Sequence, residues 1–332
     1  MRVSNKANGL AFEYAIITEY AKYFEDNNLK YEIQENDAYY EARDAYEKCK
    51  KELDERSICA FHESAKSSIL LISQIEPGLM VETDDEDIIQ IERKKDSEGE
   101  EGDVRDVLFK RTKHNWELGI SAKNNNNFIK HSRLSDDKKE DFVRKWKIGP
   151  RCSESFYDKI KDASEFLRTL NNPSTNVTKE EIRVKAYLPY LNAFIEEINS
   201  LKENNNNIAA CLIKYFVGTK PYYKLIKDDK NNLLIIEAYN LAGRLNLPIK
   251  NKNAKFKIPK QLYPSRIDYI GHETKANGEN SHTTICINFN HGWEASLRIH
   301  TASSKKSASL KLEVSLIGTP AKLFTTHIFT QI

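Results

Sequence analysis

Two short apolar runs with a turn between them constrain this chain more than any other feature. Residues 104–109 (VRDVLF) and 117–123 (ELGISAK) read as neighbouring β-strands, and His114 and Asn115 suit the turn. In the second run Leu118, Ile120 and Ala122 alternate with Glu117, Gly119, Ser121 and Lys123, the period-two pattern of a half-buried strand. A strand pair patterned this way needs a packed layer on its apolar side and leaves polar groups on the other. The buried part of the first strand begins at Asp106, and the second strand ends at Lys123.

The remaining sequence supplies that layer. Residues 9–25 form an amphipathic helix, with Leu10, Tyr14, Ile17, Ala21 and Phe24 on one face and Glu13 beside it. Further helices are expected at 35–54, 65–74, 136–146, 153–170, 179–201 and 208–216, and a short edge strand at 88–91. Later strands are expected at 222–227, 233–238, 282–289, 294–300, 310–316 and 323–329. The asparagine tetrads at 124–127 and 204–207 read as loops, because Asn tolerates a left-handed backbone. Helices leading into strands, then mixed elements, give an α/β (α+β) class: a mixed β-sheet flanked by helices, with added helical and β-rich C-terminal parts. With 332 residues the chain is long enough to bury a sizeable core.

The net charge of +2 hides a segregation. Residues 82–101 are largely acidic, whereas residues 123–151 carry Lys123, Lys130, Arg133, Lys138, Lys139, Arg144, Lys145, Lys147 and Arg151. Such a local patch, rather than net charge, is what attracts a polyanion. The five cysteines are scattered without a CxxC pair, which argues against a zinc ribbon and a disulfide framework. No apolar N-terminal segment is present, and no apolar run approaches the roughly 20 residues that span a bilayer. A reducing, cytoplasmic setting is the expectation.

An aspartate and a lysine on adjacent strands, followed by a basic segment, suit phosphodiester hydrolysis. That reaction needs an activated water, charge relief on the phosphate and help for the leaving oxygen, much of which magnesium held by carboxylates provides. A lysine beside the phosphate stabilises developing charge. Asp106 borders the buried run, while Asp103 lies in the approach to it. Glu117, Ser121 and Lys123 share one face, but Glu117 is about 20 Å along the strand from Lys123 at roughly 3.3 Å per residue. Ser121 is the better placed.

These residues carry a resemblance. NGLAFEYA near the N-terminus, GDVRDVLF, ELGISAKNNNNFIKHSRLS and DFVRKW make the chain similar to the PD-(D/E)xK nucleases, and within them to the HaeIII-type restriction endonucleases. YYK at 222–224 and GWEASLRIHTASS extend the likeness over most of the chain, with the central block most specific. The resemblance implies a restriction-endonuclease-like core and a type II enzyme dependent on Mg2+. It would cut both strands of double-stranded DNA at a short G·C-rich site such as GGCC. Asp106 becomes the strand carboxylate and metal ligand, and Lys123 the motif lysine. The motif's acid should stand at position 121, where this chain has Ser121; Glu13 or Glu117 would then supply the second carboxylate, Glu13 being favoured as a metal ligand. Residues 1–150 are expected to hold the nuclease core and basic segment. Residues 151–332 would complete the DNA-binding cleft, packed with the core as one unit.

Beyond the site, Asn124, Asn126, Lys130, His131 and Arg133 are candidate DNA contacts, to phosphates or to base edges. In the C-terminal hairpin Arg298 and His300 share a face, and Arg298 is a further candidate. Trp293 is expected in the core. A homodimer would match a palindrome by two-fold symmetry, and a cognate DNA methyltransferase would protect host sites. Two other readings use the same features: a structure-selective or repair nuclease, and a non-catalytic DNA-binding protein, which Ser121 keeps open. Neither a glycine-rich cofactor loop nor an NPPY-like tetrad points to a methyltransferase.

Overall fold

A computed structural model of the chain describes residues 3–95, 102–126, 128–139, 141, 149–172, 176–204, 207–301 and 309–330. The chain opens with helices α1 (Asn5–Asp26), α2 (Asp37–Glu52) and α3 (Glu55–Ile75), with strand β1 (Tyr31–Gln34) after the first. Ser4, Asn36 and Asp54 cap the three helices, each side chain accepting a backbone N–H from the first turn. The Asp54 cap explains why α3 starts at Glu55 rather than at residue 65. α1 buries Phe12, Ala15, Ile16 and Tyr20 in addition to the expected stripe, because it packs against α2, α3 and the sheet together.

Strands β2 (Ile89–Arg93), β3 (Val107–Arg111) and β4 (Trp116–Asn124) follow. Between the last two, a 3-10 turn at Thr112–His114 ends on Asn115 at φ 47°, a left-handed position that Asn accepts more readily than most residues. After β5 (Lys130–Arg133) and α4 (Glu154–Thr169), α5 (Lys179–Ile182) continues through a π-type turn at Arg183–Tyr187 into α6 (Leu188–Asn204). Pro189, which has no N–H to donate, stands just beyond that turn and accounts for the irregular ladder. Then come α7 (Ile208–Val217), β6 (Tyr222–Asp228), β7 (Leu233–Tyr239), β8 (Ile267–Thr274), β9 (Asn280–Phe289), β10 (Glu294–Thr301), β11 (Leu310–Leu316) and β12 (Phe324–Phe329).

These strands form a mixed seven-stranded sheet, β1-β2-β3-β4-β6-β7-β12, and an antiparallel five-stranded sheet, β5-β11-β10-β9-β8. The class is the expected mixture of α and β. Three local expectations are corrected. β2 is not an edge strand, because the unforeseen β1 pairs with it in parallel on its outer side. Residues 130–133, for which no strand was expected, form one, drawn into pairing by β11. Residues 136–139 and 141 are not helical, and the remainder of the helix expected at 136–146 lies outside the described residues.

The seven-stranded sheet separates two apolar cores. On one face Ile89, Ile91, Val107, Phe109, Leu118, Ile120, Tyr223, Leu225 and Ile236 pack against α1 and α3. Beyond the other face lies a core of α4, α6, α7 and the inner side of the five-stranded sheet, which Tyr222 and Tyr239 join. Trp293 belongs to this second core, its indole N–H donating to Leu262 O at 2.9 Å.

Candidate active site

Strand pairing assembles the polar face. Val107 pairs with Ile120, so Asp106, one residue earlier, stands across from Ser121; its amide donates to Ile120 O at 2.7 Å. Asp106 Oδ2 accepts from the Ala122 amide at 2.7 Å and from the Ser121 hydroxyl at 3.2 Å. Lys123 Nζ lies 3.8 Å from the same oxygen. Among the described residues no hydrogen bond reaches Asp106 Oδ1. One oxygen is thus fixed by the next strand while the other is open, and both side chains are about three-quarters buried.

The structure therefore brings Asp106, Ser121 and Lys123 together. Asp103 is occupied elsewhere, gripping Arg105 through Nε at 2.7 Å and Nη2 at 2.8 Å. Arg105 Nη1 lies 3.0 Å from Glu117, which draws that carboxylate away from Ser121. This arginine crosses the bare backbone of Gly119: a Cβ there would stand 2.0 Å from Arg105 Cδ. Glu13 accepts from Arg93 Nε at 2.8 Å. Arg93 pairs with Val107 and alternates with Ile89 and Ile91, so it belongs to the face turned towards α1, opposite to Asp106.

Two groups in the neighbourhood were not singled out from the sequence as site residues. Ser121 pairs with Lys224 on β6, and Lys224 pairs with Glu237 on β7, making one row across three strands. Lys224 Nζ lies 3.5 Å from Glu237 Oε2, which also accepts from the Tyr239 hydroxyl at 3.0 Å. Burial pushes the Lys224 ammonium down to about 8; Glu237 opposes the shift and the like charge of Lys123 reinforces it. The signal in the sequence was Lys224, in YYK, flanked by Tyr222, Tyr223, Leu225 and Ile226.

The candidate DNA contacts divide. Asn124 Oδ1 accepts from Lys227 Nζ at 3.0 Å, and Asn126 Nδ2 donates to Asn124 O at 3.0 Å. Arg133 is exposed and donates to Ser309 Oγ at 3.1 Å. The side chains of Lys130 and His131 lie outside what is described, but their strand positions are set: His131 pairs with Glu313 and Lys130 with Val314. Glu313 in turn pairs with Arg298, whose side chain is 61% exposed with Nη1 3.9 Å from Glu313 Oε1. Arg133, Lys311 and His300 form the next row on the same face. The five-stranded sheet thus gathers basic residues from two distant stretches of the chain.

An open carboxylate oxygen and an ammonium on adjacent strands, one strand connection from a basic sheet face, is the chemistry of a metal-assisted nuclease. The HaeIII restriction endonuclease family matches residues 9–320. Over 327 residues the chain is 34% identical to the type II restriction enzyme HaeIII of Haemophilus aegyptius, covering 97% of this chain and 97% of that enzyme. This chain belongs to the HaeIII restriction endonuclease family. No solved structure matches it. As a member of the HaeIII family it is a type II site-specific deoxyribonuclease acting on double-stranded DNA, in a family that needs a divalent metal. Among the described residues no group of three or more His, Cys, Asp or Glu side chains is poised around a metal position, and no helix is long and apolar enough to cross a membrane. The open Asp106 oxygen still fits Mg2+, which commonly takes one or two carboxylates and fills its other positions with water and substrate phosphate.

Proposed function

We propose that this chain hydrolyses both strands of double-stranded DNA at a short G·C-rich site, with GGCC as the candidate sequence and Mg2+ as the metal. The observation that carries the site assignment is the meeting of the Asp106 carboxylate and the Lys123 ammonium, 3.8 Å apart at the mouth of a strand pair. Asp106 would hold the metal, with Ser121 and the Ala122 amide fixing one carboxylate oxygen and so its orientation. A divalent metal there would supply Lewis-acid relief of the phosphate charge and easier ionisation of the attacking water. Lys123 faces the scissile phosphate and stabilises the charge that develops on it. Ser121 contributes a hydrogen bond rather than a charge, and Glu13 and Glu117 serve Arg93 and Arg105 instead of the metal.

Arg133 and Arg298, with the strand position of His131, engage DNA phosphates and base edges, aided by Asn126 at the strand exit, whereas position 130 pairs with the core residue Val314 on the other face. Asn124 shapes that exit through Lys227. Two copies of the chain acting together match the two-fold symmetry of a palindrome, and a cytoplasmic methyltransferase of the same specificity shields host sites.

The test is digestion of DNA of known sequence. Discrete fragments with Mg2+, none with EDTA, and fragment ends lying at GGCC are expected. Asp106→Asn and Lys123→Ala should remain folded and bind DNA while cleaving at least 100-fold more slowly, about the loss seen when one transition-state donor is removed. Fragments ending at another sequence would reject GGCC. Undiminished cutting by folded Asp106→Asn would reject the site.

A further inference from the structure

The row Ser121–Lys224–Glu237 adds something that the metal and Lys123 do not account for. Lys224 is 2% exposed and shares its sheet face with Tyr222 and Tyr239, which join the second apolar core. Taking an ammonium and a carboxylate out of water is costly, and a pair of well-packed apolar side chains serves a sheet interior at least as well. The fold therefore gives no reason for the pair. Its position does. Lys224 occupies the strand next to Ser121, on the face that carries Lys123, and Glu237 is itself held by Tyr239, whose ring stacks on Tyr222 at 4.8 Å and 10°.

We propose that Lys224, braced by Glu237, is a positioning residue of the cleavage site. It sets a fixed positive charge behind Lys123. With Asp106 in front and Lys224 behind, the Lys123 ammonium is attracted from one side and repelled from the other, which pins it towards the open side of the site. Because position 121 is a serine, no carboxylate stands between Lys224 and the phosphate to cancel its field. A buried charge held before substrate arrives stabilises developing negative charge without reorganising during the reaction. The inference rests on the reading of Asp106 and Lys123 as the reacting site.

The decisive variant is the double replacement Lys224→Met/Glu237→Leu, which removes both charges and keeps the volume, a change that buried pairs commonly tolerate. Three quantities are measured against the unaltered protein: urea unfolding, affinity for a GGCC duplex without Mg2+, and single-turnover cleavage with Mg2+. Unchanged unfolding and affinity with cleavage slowed on the order of 10- to 1,000-fold are expected, a loss in kcat and not in KM. Cleavage at the original rate would overturn the proposal, since the pair would then serve packing alone. Loss of affinity in proportion to cleavage would overturn it too, because the pair would then be shaping the DNA surface. If the double variant does not fold, Glu237→Gln keeps the shape and removes the brace's charge, and the same outcomes decide. Asp106→Asn is assayed alongside: if it cleaves normally, the underlying site reading has failed, whatever Lys224 does.

Discussion

Removing the Glu13 carboxylate separates two roles that a first-helix glutamate can play. The Arg93 guanidinium is 1% exposed and receives Glu13 through Nε at 2.8 Å, with Nη1 at 3.2 Å from both Ala38 O and Glu41 Oε2. Glu13→Ala leaves that cation buried with one carboxylate fewer. Breaking a buried pair from one side costs about 3–5 kcal/mol, and the surviving Glu41 contact argues for the lower half, about 3–4 kcal/mol. At about 2.1 cal/mol/K of unfolding entropy per residue, 332 residues carry ~0.7 kcal/mol/K, so Tm should fall by about 5 °C. Thermal unfolding followed by circular dichroism reads this directly. The companion variant Glu13→Leu/Arg93→Met removes both charges and should recover most of the loss. Below its own Tm, Glu13→Ala should still cleave DNA, because its carboxylate belongs to the helix side of the sheet. An unchanged Tm combined with abolished cleavage would refute the reasoning and return Glu13 to the metal.

Burial pushes the Glu76 carboxyl from the ordinary 4.5 up to about 7, even though the Tyr223 hydroxyl and the Asn246 amide donate to it. The folded state keeps a proton that the unfolded chain gives up. That stabilisation is complete below pH 4.5 and is lost as pH rises through 7, amounting to about 3 kcal/mol over the window. Glu76→Gln, which cannot ionise, should flatten this part of a stability-versus-pH curve; an unaltered slope would show that Glu76 is already ionised when folded. Gly119→Ala forces Arg105 off its track and should destabilise by about 1–3 kcal/mol, as overpacking does, with unfolding midpoints as the check. Arg133→Ala and Arg298→Ala should each lower the slope of log affinity against log salt by about 0.9 if each side chain meets a phosphate of duplex DNA.

Alternation and helical periodicity made much of this fold legible. The strand pair at Asp106 and Lys123 was readable because Leu118, Ile120 and Ala122 are apolar at every second position, and that pattern has one solution on a sheet. The pattern also ranked Asp106 above Asp103, and the structure shows Asp103 gripping Arg105. The first helix was readable as well, though not the extent of its burial, because a single stripe does not reveal how many neighbours a helix will have. β1 and β5 escaped notice: four residues of mixed character acquire strand conformation only when a partner strand supplies the hydrogen bonds.

What the sequence by itself determined, then, was local: which segments alternate, where most helices lie, and which two residues bracket the strand pair. The counter-ions were decided in three dimensions. Glu13 is only a candidate ligand until β2 delivers Arg93 to it, and Lys224 is one lysine in a strand until β4 and β7 close on either side. Charges choose their partners by distance through space, and the pairing of strands remote in sequence sets that distance. For the same reason Arg133 and Arg298, which no local pattern links, share one face of a sheet.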